Sequence, residues 1–479
     1  MDFNKPIHVH FIGIGGISMS ALAEILLSAG NRISGSDLQK SDLCTALSTK
    51  GARIFCGHRA ENLDAVDEKS TPDLVVYTAA ITEDNPELMA AKERGLPLLT
   101  RAQLLGQIMR NYHTPIAVAG THGKTSTTGM ISAILLSADR DPTLTVGGIL
   151  DTIGGNLRIG RSGYFVTEAC EYTDSYLSFF PKIGVILNIE ADHLDFFADL
   201  AAVRASFRQF AALIPADGAL VINGDIPGLD EITDGLTCRI ITFGLSAKND
   251  YHIHDISYDE LARPRFYIGN NKHAYPLLAP GEHNVMNAAA AIAVAEYLDI
   301  PDESIRAAVA AFRGIRRRFE LRGTCRGFTI IDDYAHHPTE IAATLKTARR
   351  YPHREIYCVF QPHTYTRTHA LLDDFAEALL LADKVVVIDI YAAREKNQIG
   401  ISSKDLAEAI ARRGGHCVYI PSTEGDDGTK GDDGTAGDDG HDRFWAAEKY
   451  ILKNLLPEDL LITMGAGDVV CIADNLLEQ

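Results

Sequence analysis

The chain of 479 residues is 46% apolar and 23% charged, with a formal net charge of −19 and eight cysteines. This length exceeds what one hydrophobic core supports and predicts about two to four domains. The negative charge argues against a nucleic-acid partner. No apolar run is long enough for a membrane span, no signal-peptide pattern is present, and no C-x-x-C pair suggests a zinc ribbon. We therefore expect a cytoplasmic protein with reduced thiols and no membrane contact.

A glycine-rich turn follows the first predicted strand. Gly13, Gly15 and Gly16 lie between an apolar run that begins at Ile7 and a helical pattern over 21–29. The second strand, at 31–35, is followed by Asp37, which is where dinucleotide-binding folds place an acid that holds a ribose hydroxyl. Further strands are predicted at 53–55, 74–78 and 96–99. This pattern predicts a Rossmann-like unit, and by itself it fits NAD as well as any other nucleotide.

A phosphate-binding loop opens the second unit. The apolar run 116–119 is followed by Gly120-Thr-His-Gly-Lys-Thr125 and an amphipathic stretch to about residue 138. The glycines allow backbone N–H groups to face a phosphate, Lys124 would reach the terminal phosphates, and the Thr125 hydroxyl would bind Mg²⁺. The complete P-loop pattern has a further glycine where Val118 stands. A surface turn is the alternative, but the flanking strand and helix favour a nucleoside triphosphate site.

Two later strands of this unit run into acidic segments. The run 164–167 leads into Glu168-Ala-Cys-Glu171, and the run 183–187 leads into Asn188-Ile-Glu-Ala-Asp-His193. The carboxyl ends of parallel strands face the crevice where ligands bind. Glu168 and His193 could therefore complete a Mg²⁺ shell with Thr125. A strand-end acid and a helix-capping histidine are the alternative interpretations.

The second unit ends with an alanine-rich helix at 288–297, preceded by the motif 281–287, and with an arginine cluster. The four arginines are Arg313, Arg316, Arg317 and Arg318. They could form a solvated face, but contact with an anion is the better interpretation in so acidic a chain.

The third unit starts near Gly323 and has the pattern of a second doubly wound sheet. Strands are predicted at 328–331, 356–360, 385–390, 416–420 and 460–464. Polar loops follow four of them, at 332–338, 361–367, 391–396 and 465–468, and together they predict a binding face. Pro338 suits the first turn of a helix.

An acidic, glycine-rich insertion is predicted at 424–442, between a strand and a helix that begins near Asp442. It contains three near-copies of Gly-Asp-Asp-Gly. Its spacing matches no EF-hand, so a solvated loop is favoured over a calcium site.

Seven of these segments together resemble the Mur ligases. The matching motifs are Gly13-Ile-Gly-Gly-Ile-Ser-Met-Ser20, Gly120-Thr-His-Gly-Lys-Thr125, Glu168-Ala-Cys-Glu171, Asn188-Ile-Glu-Ala-Asp-His-Leu-Asp195, His283-Asn-Val-Met-Asn287, Arg317-Arg-Phe-Glu320 and Asp332-Asp-Tyr-Ala-His-His-Pro338. The resemblance covers the chain apart from the acidic insertion. It implies an α/β protein of three domains: a Rossmann-like UDP-sugar domain at 1–110, a P-loop ATPase-like domain at 111–320, and a doubly wound amino-acid domain at 321–479 that contains the insertion.

The resemblance is to those members that join L-alanine to the lactyl carboxylate of UDP-N-acetylmuramate, with ATP and Mg²⁺, in peptidoglycan precursor synthesis. It implies a UDP-sugar site at Gly13, Gly15, Gly16, Ser18 and Asp37. It implies an ATP site at Gly120, Thr121, His122, Gly123, Lys124, Thr125, Ser126, Asn284, Arg318 and Asp333. It implies Mg²⁺ ligands at Thr125, Glu168 and His193, and an amino-acid site at Tyr334, His336 and Arg367. The catalytic residues would be Lys124, Glu168, His193, His336 and Arg367, with His336 as candidate base.

Three positions depart from the family pattern. Many members have aspartate at Cys170 and arginine at Thr364, which bear on the role of Glu171 and on the choice of amino acid. Related ligases for longer substrates use a carbamylated lysine near the position of Phe207, so we expect none here.

Three other functions remain open from the sequence: a recycling ligase that attaches a peptide to the same sugar nucleotide, an inert nucleotide sensor, and a nicotinamide dehydrogenase. The dehydrogenase leaves the phosphate loop unexplained. Monomer and homodimer are both open.

Overall fold

The structure is a computed structural model that describes residues 3, 5–64, 71–193, 196–393, 395–422 and 443–478. The insertion predicted at 424–442, Leu194 and Asp195 of the fourth motif, and Arg394 lie outside the described residues. The described chain forms three α/β domains, each around one sheet, in chain order. Within these ranges, no helix combines the length and the apolar character that crossing a bilayer requires.

The amino-terminal domain is a five-stranded parallel sheet with the order β3-β2-β1-β4-β5. Its elements are β1 His8–Ile12, α1 Ile17–Ser28, β2 Arg32–Asp37, α2 Asp42–Thr49, β3 Arg53–Cys56, β4 Leu74–Tyr77, α3 Pro86–Glu93, β5 Leu98–Thr100 and α4 Arg101–Met109. The strand order reverses between β1 and β4, and the glycine turn follows β1. This is the switch point at which open α/β sheets bind ligands.

The central domain contains a ten-stranded sheet with the order β15-β14-β13-β12-β11-β10-β6-β9-β7-β8. Its elements are β6 Thr114–Ala119, α5 Lys124–Ser137, β7 Thr143–Leu150, β8 Gly155–Arg158, β9 Tyr164–Ala169, β10 Ile183–Ile186, α6 Leu200–Ala212, β11 Ala219–Asn223, α7 Asp230–Thr233, β12 Arg239–Gly244, β13 Tyr251–Tyr258, β14 Pro264–Ile268, β15 Tyr275–Pro276, α8 Glu282–Tyr297 and α9 Asp302–Ala311. The strands from β13 to β7 are parallel, whereas β8, β14 and β15 pair antiparallel.

Strand β6 lies between β9 and β10 in parallel register. Ala119 is paired with Ala169 on one side and with Ile186 on the other. The residues from Ile116 to Ala119 are fully buried, as expected for a strand of a parallel sheet with both faces covered. All three strands therefore end at the same edge of the sheet, directly below the phosphate loop.

The carboxyl-terminal domain is a six-stranded sheet with the order β16-β17-β21-β18-β19-β20. Its elements are β16 Glu320–Cys325, β17 Phe328–Asp333, α10 Pro338–Ala348, β18 Ile356–Phe360, α11 Tyr365–Ala370, α12 Leu372–Leu379, β19 Lys384–Val387, α13 Ser403–Arg412, β20 Cys417–Tyr419, α14 Trp445–Asn454, β21 Leu460–Met464 and α15 Val470–Leu477. Only β16, at the edge, is antiparallel to its neighbour.

The structure changes the limits of several predicted elements in this region. Strand β16 begins at Glu320, before the predicted start of the third unit near Gly323, and its half-exposed residues gave no apolar run. Strand β17 extends to Asp333, so the two aspartates belong to the strand rather than to the loop after it. Strands β19 and β20 are shorter than the runs 385–390 and 416–420.

The linker before β16 is fixed to the carboxyl-terminal domain by Arg317. Its guanidinium donates to Asp332 Oδ2 at 2.9 Å and to the carbonyl oxygens of Gly465 at 2.8 Å and Gly467 at 3.2 Å. The backbone of Arg317 is left-handed, with φ 61°. Arg317 is thus fixed to the third domain, whereas Arg316 before it is bonded to Ile149 and Asp151 of the central domain.

Helix α4 joins the first two domains through a very close backbone contact. A Cβ at Gly106 would lie 1.9 Å from the carbonyl oxygen of Ser178, in the 3₁₀ segment Tyr172–Ser178. No larger residue fits unless the helix or the segment moves.

We expect Gly106→Ala to lower the free energy of unfolding by about 1–3 kcal/mol through overpacking, seen as a lower transition temperature in calorimetry. Gly155→Ala is the matched control, since no atom lies within 4 Å of a Cβ at that position. Equal stability of the two variants would contradict this contact.

Candidate active site

The ends of β6, β9 and β10 meet the linker and the carboxyl-terminal domain around a cavity of about 580 Å³. The predicted site residues on its wall are Thr121, His122, Gly123, Lys124, Thr125, Glu168, His193, Arg318, Tyr334 and His336. Residues that lie up to about 215 positions apart in the sequence therefore share one cavity. The arginines Arg316 and Arg317 add positive charge to the same wall.

The phosphate loop is held by the segment after β10. Asn188 accepts a hydrogen bond from the His122 amide at 2.8 Å and donates to the His122 carbonyl at 3.1 Å. The Thr121 hydroxyl accepts from the Glu190 amide at 2.9 Å. Gly123 has φ 83°, and a Cβ there would lie 2.4 Å from Asn287 Oδ1. These hydrogen bonds fix the geometry of the loop in the structure, and Asn188, which the sequence placed in a motif without a role of its own, is a positioning residue.

Lys124 is paired with Glu171, a residue to which the sequence assigned no firm role. The Lys124 ammonium donates to Glu171 Oε2 at 3.0 Å and to the Thr121 carbonyl at 3.0 Å, and the Glu171 side chain is 2% exposed. Burial lowers the pKa of the Lys124 ammonium, but Glu171, together with Cys170 and Glu168, more than offsets burial, so the net shift raises this pKa. Lys124 is therefore charged at neutral pH.

Glu168 and Thr125 are in direct contact. The Thr125 hydroxyl donates to Glu168 Oε2 at 3.1 Å, and the Gly147 amide donates to Glu168 Oε1 at 2.5 Å. Burial raises the pKa of Glu168. Because β9 extends to Ala169, Glu168 lies on the strand and not in the loop after it.

His193 lines the same cavity. Its Nε2 is 3.8 Å from Asp192 Oδ2 and 3.9 Å from Glu171 Oε1, and its ring packs 4.6 Å from that of Tyr172. Burial lowers the pKa of His193 despite these carboxylates. The ring is therefore neutral, with a nitrogen available to a ligand. Its φ of 53° is left-handed.

A second, apolar cavity of about 190 Å³ adjoins the phosphate loop. Helix α8 contributes His283, Met286 and Asn287 to its wall, and Ser126, Arg318 and Asp333 also line it. Asn284 is turned elsewhere, because its amide donates to the Pro280 carbonyl at 2.7 Å and its oxygen accepts from Asn287 at 3.2 Å. Asn287, one helical turn further on, is the residue that faces the cavity.

Asp333 and Arg318 close this second cavity from the side of the third domain. Asp333 accepts hydrogen bonds from the amides of Phe319 and Ala335 and from the Thr344 hydroxyl, at 2.8–2.9 Å. Burial raises the pKa of Asp333 to about 6, although Arg318 opposes the shift. Arg318 lies 3.6 Å from Glu340 and 5.1 Å from the centre of the Tyr334 ring.

His336 and Arg367 face the site from the carboxyl-terminal domain. The His336 Nδ1 is 3.0 Å from the Tyr334 carbonyl, so this nitrogen donates and Nε2 carries the lone pair. Burial, reinforced by Arg367, lowers the pKa of His336 to about 4. Arg367 donates to Asp192 at 3.2 Å and, with Thr364 and His193, lines a third cavity of about 460 Å³. Asp192 and His193 belong to both larger cavities and connect them.

The predicted UDP-sugar residues lie together in the amino-terminal domain. Asp37 Oδ2 accepts a hydrogen bond from the Gly15 amide at 2.8 Å, and Ser18 accepts from Arg101 at 3.1 Å. Gly13, with φ 84°, and Gly16 complete the turn into α1. Asp37 thus stabilises the turn itself.

Phe207, the position near which the family resemblance predicts no carbamylated lysine, is buried. It lies on α6 and packs edge-on against the Tyr176 ring at 5.7 Å.

Three family models match the chain in the order of its domains: the Mur ligase family catalytic domain at 8–113, the Mur ligase middle domain at 118–295, and the Mur ligase glutamate ligase domain at 317–467. The UDP-N-acetylmuramate–L-alanine ligase of Agathobacter rectalis is 52% identical over 482 residues, which cover 100% of this chain and 99% of that protein.

Two solved structures are similar over 98% of both chains. The UDP-N-acetylmuramate-alanine ligase of Thermotoga maritima is 28% identical, with a TM-score of 0.76. A murein peptide ligase of Psychrobacter arcticus is 26% identical, with a TM-score of 0.67. With matches in all three domains and a relative aligned from end to end, the chain belongs to the Mur ligase family.

Proposed function

We propose that this enzyme joins L-alanine to the lactyl carboxylate of UDP-N-acetylmuramate at the expense of ATP, through an acyl phosphate, in peptidoglycan precursor synthesis. It is an ATP-dependent ligase that forms an amide bond. The observation that carries the assignment is the 52% identity to an L-alanine ligase along the whole chain. The phosphate loop and the cavity between the second and third domains supply the chemistry.

Each domain has one substrate in this proposal. Residues 1–110 hold the UDP-sugar at the turn that contains Gly13, Gly15 and Gly16. Residues 111–320 hold ATP, with its phosphates on the loop from Gly120 to Ser126. Residues 321–479 bring L-alanine to Tyr334, His336 and Arg367.

The adenine base fits the 190 Å³ cavity between α8 and the third domain, since Leu187, Phe243 and Met286 give it apolar walls. We assign the reading of the base to Asn287 rather than to Asn284, because Asn287 lines this cavity and the Asn284 amide is bonded to the Pro280 carbonyl.

The first chemical step brings two anions together, because the carboxylate attacks the γ-phosphate. Lys124 supplies positive charge at the phosphates, and the arginines of the linker extend it. Glu171 keeps the ammonium aligned before ATP binds. Fixed charges of this kind need no reorganisation during the reaction, which is why they lower its barrier.

The residues Thr125, Glu168 and His193 suit Mg²⁺. A hydroxyl and a carboxylate are the oxygen donors that Mg²⁺ prefers, and the lowered pKa of His193 leaves a ring nitrogen unprotonated. When bound, Mg²⁺ neutralises charge on the ATP phosphates.

The second step requires a neutral amine. Attack of the L-alanine nitrogen on the acyl phosphate gives a tetrahedral intermediate, which expels phosphate. The candidate base that takes a proton from this amine is His336 Nε2. Arg367 would hold the carboxylate of the amino acid.

The alternative functions have less support. The murein peptide ligase, which would support recycling, is 26% identical in sequence to this chain. The relative that is named as an L-alanine ligase is 52% identical along the whole chain. An inert sensor would not need Lys124, Thr125, Glu168 and His193 around one cavity.

Phosphate release from ATP tests the function directly. We expect release only when UDP-N-acetylmuramate and L-alanine are both present, and we would compare glycine, L-serine and the cell-wall tripeptide in place of L-alanine. Release that depends on the tripeptide would assign the enzyme to recycling. Absence of release in every combination would favour the sensor.

We expect Lys124→Ala to lower kcat by about 10²–10³-fold, since it removes the cation at the γ-phosphate. Lys182→Ala is the control, because Lys182 pairs with Asp217 away from the cavities. In Lys124→Ala the buried Glu171 carboxylate loses its partner, which could destabilise the fold. The double variant Lys124→Ala/Glu171→Gln removes that charge as well, and we expect it to be as slow as Lys124→Ala. Near wild-type rates in both variants would contradict the assignment of Lys124.

If His336 is the base, we expect that kcat does not fall as the pH is lowered through 6.5, the ordinary pKa of histidine. Its pKa of about 4 means that the ring is neutral at every pH above 5 and gains a proton only below that range. If His336 is the base, His336→Gln should lower kcat by about 10²-fold or more across pH 6–9 without changing the shape of the profile. If His336→Gln leaves kcat unchanged, His336 is not the base.

A further inference from the structure

A group of two histidines and one glutamate lies at the junction of the phosphate loop and the third domain. The residues are His122 of the loop, Glu190 after β10 and His337 directly before α10. One ligand atom from each residue lies within 4.8 Å of the ligand atoms of the other two. Among the described residues, this is the one group of three or more His, Cys, Asp or Glu side chains with ligand atoms this close together. It is separate from the proposed Mg²⁺ ligands.

Two ring nitrogens in this group are buried without a hydrogen-bond partner. They are the Nε2 atoms of His122 and His337, and His337 is only 6% exposed. Glu190 Oε2 is 3.4 Å from His122 Nε2, but this contact lacks hydrogen-bond geometry. A buried polar atom without a partner costs about 1–3 kcal/mol. A cation bound by both nitrogens and the Glu190 carboxylate would satisfy these two atoms.

We propose that His122, Glu190 and His337 form a binding site for a transition-metal ion, with Zn²⁺ as the preferred ion. Two imidazoles and a carboxylate, with a fourth position open, are a donor set typical of zinc. Nitrogen donors select such an ion over Mg²⁺, which prefers oxygen. Ligand atoms around tetrahedral zinc lie about 3.3 Å apart, given bonds of about 2.0–2.1 Å. The separation between His122 and Glu190 already matches this value.

Neighbouring groups orient the proposed ligands. Glu340 Oε1 lies 3.3 Å from His122 Nδ1 and holds a proton there, which leaves Nε2 for the ion. The Thr339 hydroxyl donates to Glu190 Oε2 at 2.7 Å. A carboxylate behind a histidine ligand is a common support in zinc sites.

Binding of the ion displaces protons. Burial opposes the charge on His122, but the nearby carboxylates of Glu190 and Glu340 raise its pKa to about 9, so the Nε2 proton leaves when the metal binds. In His337 the proton moves to Nδ1, which gives up a 3.4 Å contact from the Thr339 amide. That contact is at the long end of the hydrogen-bond range, so its loss costs little.

An ion at this site would link two domains. His122 and Glu190 belong to the central domain, whereas His337 begins the first helix of the carboxyl-terminal sheet. Occupancy would therefore hold the phosphate loop against α10 and stabilise the contact between these two domains. This inference goes beyond the ligase reaction, and its test does not depend on activity.

The test is a titration of metal-free, full-length protein with Co²⁺ in the absence of nucleotide, followed by visible absorption, which reports four-coordinate cobalt, and then displacement by Zn²⁺. We expect one such site in the wild type and at least tenfold weaker binding in His337→Asn and Glu190→Gln. Asparagine is a favoured helix cap, so His337→Asn removes the ligand while retaining the start of α10.

Two control variants identify the site. His113→Asn changes an exposed histidine and should bind Co²⁺ as the wild type does, and Glu168→Gln, which alters the proposed Mg²⁺ site, should keep the same spectrum. Absence of a four-coordinate spectrum in the wild type would overturn the proposal. So would a spectrum that survives in folded His337→Asn and Glu190→Gln proteins, or one that Glu168→Gln removes.

Discussion

The parallel alignment of β9, β6 and β10 is the constraint on which the active site depends. Neighbouring strands that run in one direction end at one edge of the sheet, so the segments that follow them must meet there. The loop after β6 thus contacts Asn188 after β10 and Glu168 at the end of β9. The third domain adds its residues to an edge that the central sheet has already organised.

This edge also resolves the conflict between an acidic chain and anionic substrates. The net charge of −19 repels ATP at long range, where salt screens it. The cavity wall carries Lys124 and the linker cations Arg316, Arg317 and Arg318, beside the carboxylates of Glu168, Asp192, Glu320 and Glu340. Glu171 offsets Lys124 in the free enzyme, so the site keeps a cation buried without leaving it unpaired.

The fold could be predicted from the sequence wherever an apolar run ended in glycine or in polar residues, as at β1 and β6. The edge strand β16 was missed because its residues are half exposed. In the site, the phosphate loop and Glu168 could be placed by pattern, but the choice between Asn284 and Asn287 depends on where α8 begins. Which face of α8 points into the cavity is set by how the helix packs on its neighbours. Glu171 pairs with Lys124, and Glu340 pairs with His122. Each pair joins segments that are far apart in the sequence, so a local sequence pattern does not predict it.

The anchoring of Arg317 also determines where the third domain can turn. Its guanidinium is bonded to Asp332 and to two carbonyl oxygens of the loop after β21, so Arg317 must travel with that domain. Gly314, three residues earlier, has φ 106° and no atom closer than 3.8 Å to a Cβ position. Arg316, between these two residues, is bonded to the central domain, because its amide donates to the Ile149 carbonyl and its guanidinium donates to Asp151. Any rotation of the third domain against the central one would therefore be taken up between Arg316 and Arg317, next to Arg318 on the wall of the base cavity.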